Sequence, residues 1–370
     1  MSDAVPMRIV IFPAWQDNPY LNLLHLATGA DGYWLDRVKT LEDMLESIAE
    51  DPARTILHMN WTSPICQHTP DPQEARERVD LFLGALEDGV RAGLKIIWTV
   101  HNALPHDAIH RDLEIELHRV LARLAHAVHI INPSTAEIVS EHYELPADRT
   151  RCIRLSSYQG VYGSPIERAR ARRRFGLAPD ELAVVFLGHL RPYKGVLDLL
   201  RSASAAQRLR GGRVVLMLAG KVRPEDVAPL DAAMPLDVRI IRHFGFVPDA
   251  ETPWWFAAAD LVALPYRKIL NSSSILLAQT FGAPVLVPDE QHLVAHYGDE
   301  RWVRLYDRTR PVDALAEAIA AAPVNDVEAQ RAALDAARTW SPYPMSQAFL
   351  ELVRDVEAGR GVVERELNPA

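Results

Sequence analysis

Two stretches of the chain combine glycine, cations and hydroxyls in an order that suits a diphosphate. In VVFLGHLRPYKGVLDLL, Gly188 ends an apolar run, Arg191 and Lys194 fall in the loop behind it, and Gly195 opens a helical pattern. Arginine offers a planar fork of donors, lysine a point charge, and a helix start adds partial positive charge beside them. In LPYRKILNSSSILLAQTFGAPVLVP, a second apolar run ends at Leu264–Pro265, and Asn271, Ser272, Ser273 and Ser274 open an apolar helix. One of these four suffices as an N-cap, which leaves hydroxyls and backbone N–H groups for a phosphate. On spacing alone, each stretch also reads as an ordinary strand-to-helix loop with incidental bases or exposed serines.

A second set of chemically able residues lies in the first half. TVHNALPHD closes an apolar run with His101, Asn102, His106 and Asp107; LHMNW does so with His58, Asn60 and Trp61; and QDNPY, Gln16 to Tyr20, follows the first run. In open α/β sheets ligands sit beyond the carboxyl ends of the strands, where these side chains fall. The histidine spacing fits no standard zinc motif, so no metal is expected. Glycine is missing after the first run, so there is no dinucleotide fingerprint, and this weighs against a dehydrogenase.

The elements that must position these residues are strands alternating with helices. Apolar runs at Met7–Phe12, Thr55–Met59, Lys95–Val100 and Ala127–Asn132 are separated by helical patterns such as Leu41–Glu50 and Ala75–Ala92. Alternation of this kind means βαβ units and parallel sheets. A pause rich in serine and glycine over Leu155–Pro165 reads as a linker. The pattern then restarts at Ala183–Gly188, Val214–Ala219, Val238–Phe244, Leu261–Leu264 and Pro284–Val287. A chain of 370 residues exceeds what one core usually supports. The expected fold class is therefore α/β, with two tandem Rossmann-like, doubly wound parallel-sheet domains facing a cleft. The boundaries are 1–160, 161–335, and a C-terminal helical part, 336–370, returning to the first domain.

Composition narrows the class further. Hydrophobic residues make up 48% and charged ones 24%, as in a globular protein, and the net charge of −9 argues against nucleic acid as a partner. Two cysteines, Cys66 and Cys152, are too few for a disulfide framework and suggest a reducing compartment. The first apolar run is strand-length, not a signal peptide, and no window reaches the ~18 apolar residues of a membrane span, so a cytoplasmic location is expected. The basic run Arg168–Arg174 reads as a solvated helix face, with contact to an anionic membrane or a charged acceptor as the sharper alternative. Trp254-Trp255 reads as a core pair.

At these motifs the sequence resembles the GT-B glycosyltransferases. It is most similar to the bacterial β-1,4-mannosyltransferases of xanthan-type exopolysaccharide assembly, which use GDP-mannose. NPYLNLLHLA, IIWTVHNALPHD, GHLRPYKGV and LPYRKILNSSSILLAQTFGAPVLVP carry the likeness over Asn18 to Pro288. The resemblance implies a GT-B fold. It also implies a glycosyltransferase that moves a hexose, mannose first, from a nucleotide diphosphate sugar to a glycan or lipid-linked acceptor at the inner membrane face. The nucleotide sugar is a co-substrate, and no other cofactor is implied.

Roles carry over residue by residue. Gly188, Arg191 and Lys194, with Asn271, Ser272, Ser273 and Ser274 opposite, would bind the diphosphate; Gly245, Phe246 and Val247 would line the base with main-chain groups; His101 would face the transferred sugar. Asn18, Tyr20, His58, Trp61 and Asn102 fall on the acceptor side. Where many retaining relatives carry two glutamates, this chain has Ile269 and Leu277, so an inverting, metal-independent displacement is expected. Its general base is sought at Asp107 first, then His106 and Asp17. His189 stands where an arginine is common, and Ser273 where the close family has glycine, which puts the choice of donor in doubt. The competing readings are a transferase using a UDP-sugar, a nucleotide-sugar epimerase of the same fold, and a non-catalytic binding subunit.

Overall fold

A computed structural model describes residues 7–15, 19–105 and 107–361. The chain divides into two compact units, one of Met1–Leu155 with Pro342–Ala370 and the other of Ser156–Ser341. Each is built on a six-stranded sheet in which every strand pair is parallel.

In the first unit the strands are β1 (Arg8–Phe12), β2 (Trp34–Arg37), β3 (Thr55–Met59), β4 (Lys95–Val100), β5 (Ala127–Ile130) and β6 (Thr150–Cys152), in the order β2-β1-β3-β4-β5-β6. One sheet face is apolar. Val10, Phe12, Leu57, Met59, Trp98, Val100, Val128 and Ile130 pack there against the helices Leu41–Glu50, Pro72–Arg91 and Arg111–Leu124. Alternation in the strands puts His58, Thr99 and His129 on the opposite face. There the last helix, Pro342–Glu357, covers them with Phe349, whose ring centroid lies 4.8–5.7 Å from those of His25, His58 and His129.

That second face carries one continuous buried chain of hydrogen bonds. His129 Nε2 lies 2.9 Å from the Ile153 carbonyl, and its Nδ1 is 3.0 Å from Thr99 Oγ1. Thr99 Oγ1 is 2.8 Å from His58 Nε2, and His58 Nδ1 is 2.8 Å from His25 Nε2. The chain ends at Thr28 Oγ1, 3.1 Å from His25 Nδ1 and 2.9 Å from the His25 carbonyl. A carbonyl only accepts, so His129 Nε2 must carry the proton, and every link behind it then points the same way. With all three rings neutral, each donates once, and His129 and His58 also accept once, from Thr99 and His25; the Thr28 hydroxyl at the end of the row donates to the His25 carbonyl. Burial holds His25 at about 3 and His129 at about 4, and pushes His58 well below the usual imidazole range.

The second unit contains β7 (Leu182–Leu187), β8 (Val214–Ala219), β9 (Arg239–His243), β10 (Leu261–Ala263), β11 (Val285–Pro288) and β12 (Val303–Tyr306), in the order β12-β11-β10-β7-β8-β9. The chain order reverses between β10 and β7, the switch point at which open sheets bind ligands. The boundary between the units falls within the stretch read as a linker, whose first residues in this unit are packed. Ser156, Ser157 and Tyr158 are buried, and Ser157 donates to the carbonyls of Trp340 (2.7 Å) and Ala337 (2.8 Å), tying the chain's entry into this unit to its exit.

The basic helix Arg168–Arg174 is largely committed within this unit. Arg168 and Arg172 pair with the buried Asp260, while Arg170 and Arg174 lie 5.1 and 4.5 Å from the Trp254 ring centroid. Trp255 is in the core, as expected; Trp254 is only half-buried, because it serves as the platform for these two arginines.

The buried histidines set a pH dependence. Their folded-state values lie below the 6.5 of an exposed imidazole, so below that pH the unfolded chain binds more protons and stability falls. His118, held at about 3 by burial, adds to this, whereas Glu114, pushed upward by burial, works in the opposite sense. Chemical denaturation from pH 8 to pH 5 is expected to lose about 1.4 kcal/mol per pH unit for each histidine kept neutral, beginning near pH ~6.5. A profile that stays flat over that range is incompatible with the neutral chain.

Candidate active site

In the second unit, two loops at the switch point are locked together. Behind β7 comes Gly188, then a 3₁₀ turn at Pro192–Lys194, then Gly195, then the helix Val196–Arg210. Gly195 has φ +68, and a Cβ there would fall 1.8 Å from the Pro265 carbonyl oxygen, so only glycine lets the helix start approach the end of β10 this closely. Asp198, buried in the first turn, accepts two hydrogen bonds from Arg267, both 2.8 Å, and the Arg267 N–H donates to the Tyr193 carbonyl at 2.8 Å.

The lock gathers three of the expected residues. A Cβ placed on Gly188 would lie 3.3 Å from Lys194 Nζ and 4.0 Å from Ser274 Oγ. Gly188, Lys194 and Ser274 therefore surround one small space. The Lys194 ammonium also sits 5.5 Å from the Tyr266 ring centroid. The helix Ser273–Thr280 begins beside them without a side-chain cap and with no acidic residue in its first turn. Ser272 occupies the N-cap position, but its hydroxyl caps nothing; it is buried without a hydrogen-bond partner. Ser273 is exposed and hydrogen-bonds the buried Tyr158 hydroxyl. An uncapped helix start, an unpartnered hydroxyl and a lysine together can hold an anion without a metal.

Arg191 is placed differently from Lys194. One guanidinium nitrogen is buried without a partner, beside a cavity of about 30 Å³ that Leu190, Val196, Asp226, Pro229 and Leu230 also line. Asp226 likewise keeps a buried, unpartnered carboxylate oxygen. Of the two bases, Lys194 is the one seated at Gly188. His189 is exposed. Of Gly245, Phe246 and Val247, the Phe246 ring is 60% exposed with Lys221 Nζ 5.4 Å from its centroid, and its carbonyl accepts from His243 Nε2 at 3.1 Å, so that main-chain group is already engaged. Ile269 and Leu277 pack against the apolar core.

In the first unit, the ends of β1, β3 and β4 bring aromatic rings together. Trp61 stacks on His101 with centroids 4.0 Å apart and planes 14° from parallel, and Trp15 stacks on the other side of Trp61 at 4.6 Å. Tyr20 meets His101 edge-on at 5.4 Å. Next to Trp61, Thr62 donates to the buried Glu114 at 2.6 Å, which anchors the loop. Asn102 is half-buried and Asp107 exposed on the loop behind His101. His58 is a correction. It was expected on the acceptor side, but it is fully buried and spends both ring nitrogens in the interior chain. Asp17, Asn18 and His106 lie outside the described residues. Trp15 was not among the residues singled out from the sequence, whereas Asn60 was named with Trp61 in LHMNW but given no role. Among the described residues no group of three histidine, cysteine or carboxylate side chains is arranged to hold a metal, and no helix is long and apolar enough to cross a membrane.

With this geometry in view, comparison with known proteins defines the class. The fold is GT-B: the structure of Anabaena Alr3699/HepE in complex with UDP and glucose superposes with a TM-score of 0.70 at 15% identity, covering 94% of this chain and 100% of that one. WaaG, a glycosyltransferase involved in lipopolysaccharide biosynthesis, gives 0.62 at 14% identity, covering 94% of this chain and 99% of that one. Residues 181–322 match the family model described as glycosyl transferases group 1, so the chain carries a glycosyltransferase-family domain. Its homologues are named as glycosyltransferases. The GDP-mannose:glycolipid 4-beta-D-mannosyltransferase of Xanthomonas campestris pv. campestris is 24% identical over 265 residues, 68% of this chain and 67% of that protein. The D-inositol 3-phosphate glycosyltransferase of Nocardioides sp. is 28% identical over 233 residues, 58% of this chain and 50% of that one.

The loop lock can be tested directly. Gly195→Ala must accommodate both a positive φ and a Cβ 1.8 Å from Pro265 O. It should cost more than ~2 kcal/mol in a denaturant titration. A variant within ~0.5 kcal/mol of the parent means that the two loops do not approach as described.

Proposed function

We propose that this protein is a glycosyltransferase that moves a hexose, mannose in the first instance, from a nucleotide diphosphate sugar to a glycan or glycolipid acceptor by an inverting, metal-independent displacement. The observation that carries this reading is the convergence of Gly188, Lys194 and Ser274 beside an uncapped helix start and the unpartnered Ser272 hydroxyl. In such a displacement negative charge grows on the leaving diphosphate. A fixed ammonium and oriented N–H groups stabilise that charge without reorganising.

GDP-mannose as donor is supported by the Xanthomonas relative, whose name states that donor and a glycolipid acceptor. Inversion is supported by Ile269 and Leu277, apolar side chains spent on packing where many retaining relatives carry glutamates. The base that takes the acceptor proton is assigned to Asp107, exposed on the loop behind β4, with His106 and Asp17 next in order. An acceptor held at the inner membrane face requires only peripheral attachment of the enzyme.

Thermal stabilisation by GDP, GDP-mannose, UDP, UDP-glucose and dTDP tests the donor. A ligand at 100 times its dissociation constant adds ~2.7 kcal/mol. Stabilisation confined to guanine nucleotides is expected, and Lys194→Ala should weaken it by about 10- to 100-fold in affinity, the worth of a charge-assisted hydrogen bond. Stabilisation by uridine nucleotides alone replaces mannose with a UDP-sugar; stabilisation by none removes the donor assignment. With an acceptor in hand, Asp107→Asn should lower turnover by ~10²–10⁴-fold, and a loss of only a few-fold assigns the base elsewhere.

A further inference from the structure

Tyr158, the third residue of the second unit, touches the helix Ser273–Thr280 at both ends. Its backbone N–H donates to Thr280 Oγ1 at 2.8 Å, and Thr280 in turn donates to the Leu276 carbonyl at 2.6 Å, which anchors the last turn. At the other end the Tyr158 hydroxyl hydrogen-bonds Ser273, the first residue of the helix. Ser273 and Thr280 are seven positions apart in the sequence and so lie on one helix face. Two turns cover ~10 Å, a span that one tyrosine closes with a hydrogen bond at each end. The ring itself is buried. Tyr162 meets it edge-on at 5.9 Å and also lies 6.2 Å from Phe281, just past the helix end, and Phe281 stacks on Phe256 at 5.2 Å. Burial pushes the Tyr158 phenol above its ordinary range, so the hydroxyl stays protonated at neutral pH.

A serine at a helix start readily turns its hydroxyl onto nearby backbone N–H groups, the same groups that a bound anion uses. Here the helix start has no side-chain cap, and the Ser273 hydroxyl is engaged by Tyr158. We propose that Tyr158 is a positioning residue for the diphosphate: it braces the helix Ser273–Thr280 from end to end and holds the Ser273 hydroxyl, which leaves the first N–H groups of that helix to phosphate oxygens. The proposal rests on the donor reading above and adds to it a residue from outside both phosphate-facing loops. Ser273 serves the site by being held, not by touching phosphate.

The test is isothermal titration of the full chain with GDP, UDP and pyrophosphate, the parent beside Tyr158→Phe and the double variant Tyr158→Phe/Ser273→Ala, each confirmed as folded by denaturant titration. Tyr158→Phe keeps the buried ring and removes only the hydroxyl. It should weaken diphosphate binding by about 2- to 12-fold, the worth of one hydrogen bond. The double variant also removes the released serine hydroxyl and should recover the parent affinity. A Tyr158→Phe protein that binds as the parent does overturns the proposal. A double variant as weak as Tyr158→Phe overturns it too, because a purely structural tyrosine gains nothing from loss of the serine. A parent that binds none of the three probes removes the donor reading and the proposal with it, whereas a parent that binds, with variants equal to it, removes the proposal alone.

Discussion

The donor-side geometry depends on one steric fact, that Gly195 has no side chain. A parallel sheet leaves a gap at its switch point, and two loops leave the sheet there, one from β7 and one from β10. Nothing in strand pairing alone brings those loops into register. The contact between Gly195 and the Pro265 carbonyl does so, and the Asp198–Arg267 pair holds it. Lys194, one residue before the glycine, and the helix start at Ser273, eight residues past Pro265, are thereby brought to the same place. Arg267 is half-exposed, so the pair's contribution is more geometric than energetic.

The first unit uses a different device. Its sheet buries a row of polar side chains where apolar ones would pack as well, and it keeps them neutral by giving each ring's donor an acceptor. The cost of desolvation is offset only because the row ends on a fixed acceptor, the Ile153 carbonyl, which imposes one direction on the whole row. β3 then links interior and rim: the His58 side chain belongs to the row, while its carbonyl orients Asn60. His58 thus serves the interior with its side chain and the strand end with its carbonyl.

Much of this was legible in the sequence, and the parts that were not have a common cause. Strands buried on both faces read as unbroken apolar runs, so the interior strands β1, β3, β4, β5, β7, β8, β10 and β11 could be found within a residue or two. β2, β6 and β12 could not. They are sheet edges, half-exposed, and their residues, WLDR, TRC and VRLY, show no apolar run to detect; the fourth edge, β9, was found as Val238–Phe244 because its centre keeps the apolar pair Ile240-Ile241. The site followed the same logic. Motif position identified the loops but not the direction of each side chain. Lys194 and Arg191 looked equivalent, yet the 3₁₀ turn at Pro192–Lys194 places the lysine at Gly188 and leaves the arginine beside the cavity it shares with Asp226. His58 looked like Trp61's partner at a strand end, and the two-residue alternation of a strand turned it inward instead.

The polar groups at the second unit's switch point are of one kind. Ile269 and Leu277 are hydrocarbon side chains, partly buried against the second unit's core, and can neither take up a proton nor hydrogen-bond a hydroxyl. What this unit does offer at its switch point is positive or hydrogen-bond-donating: the ammonium of Lys194, the hydroxyls of Ser272 and Ser274, and the first N–H groups of an uncapped helix. Such a set stabilises a departing anion and cannot deprotonate a nucleophile. Hydrogen-bond acceptors appear instead in the first unit, where Asn60 Oδ1 lies 3.2 Å from His101 Nε2. Asp107, exposed on the loop behind His101, adds a carboxylate there.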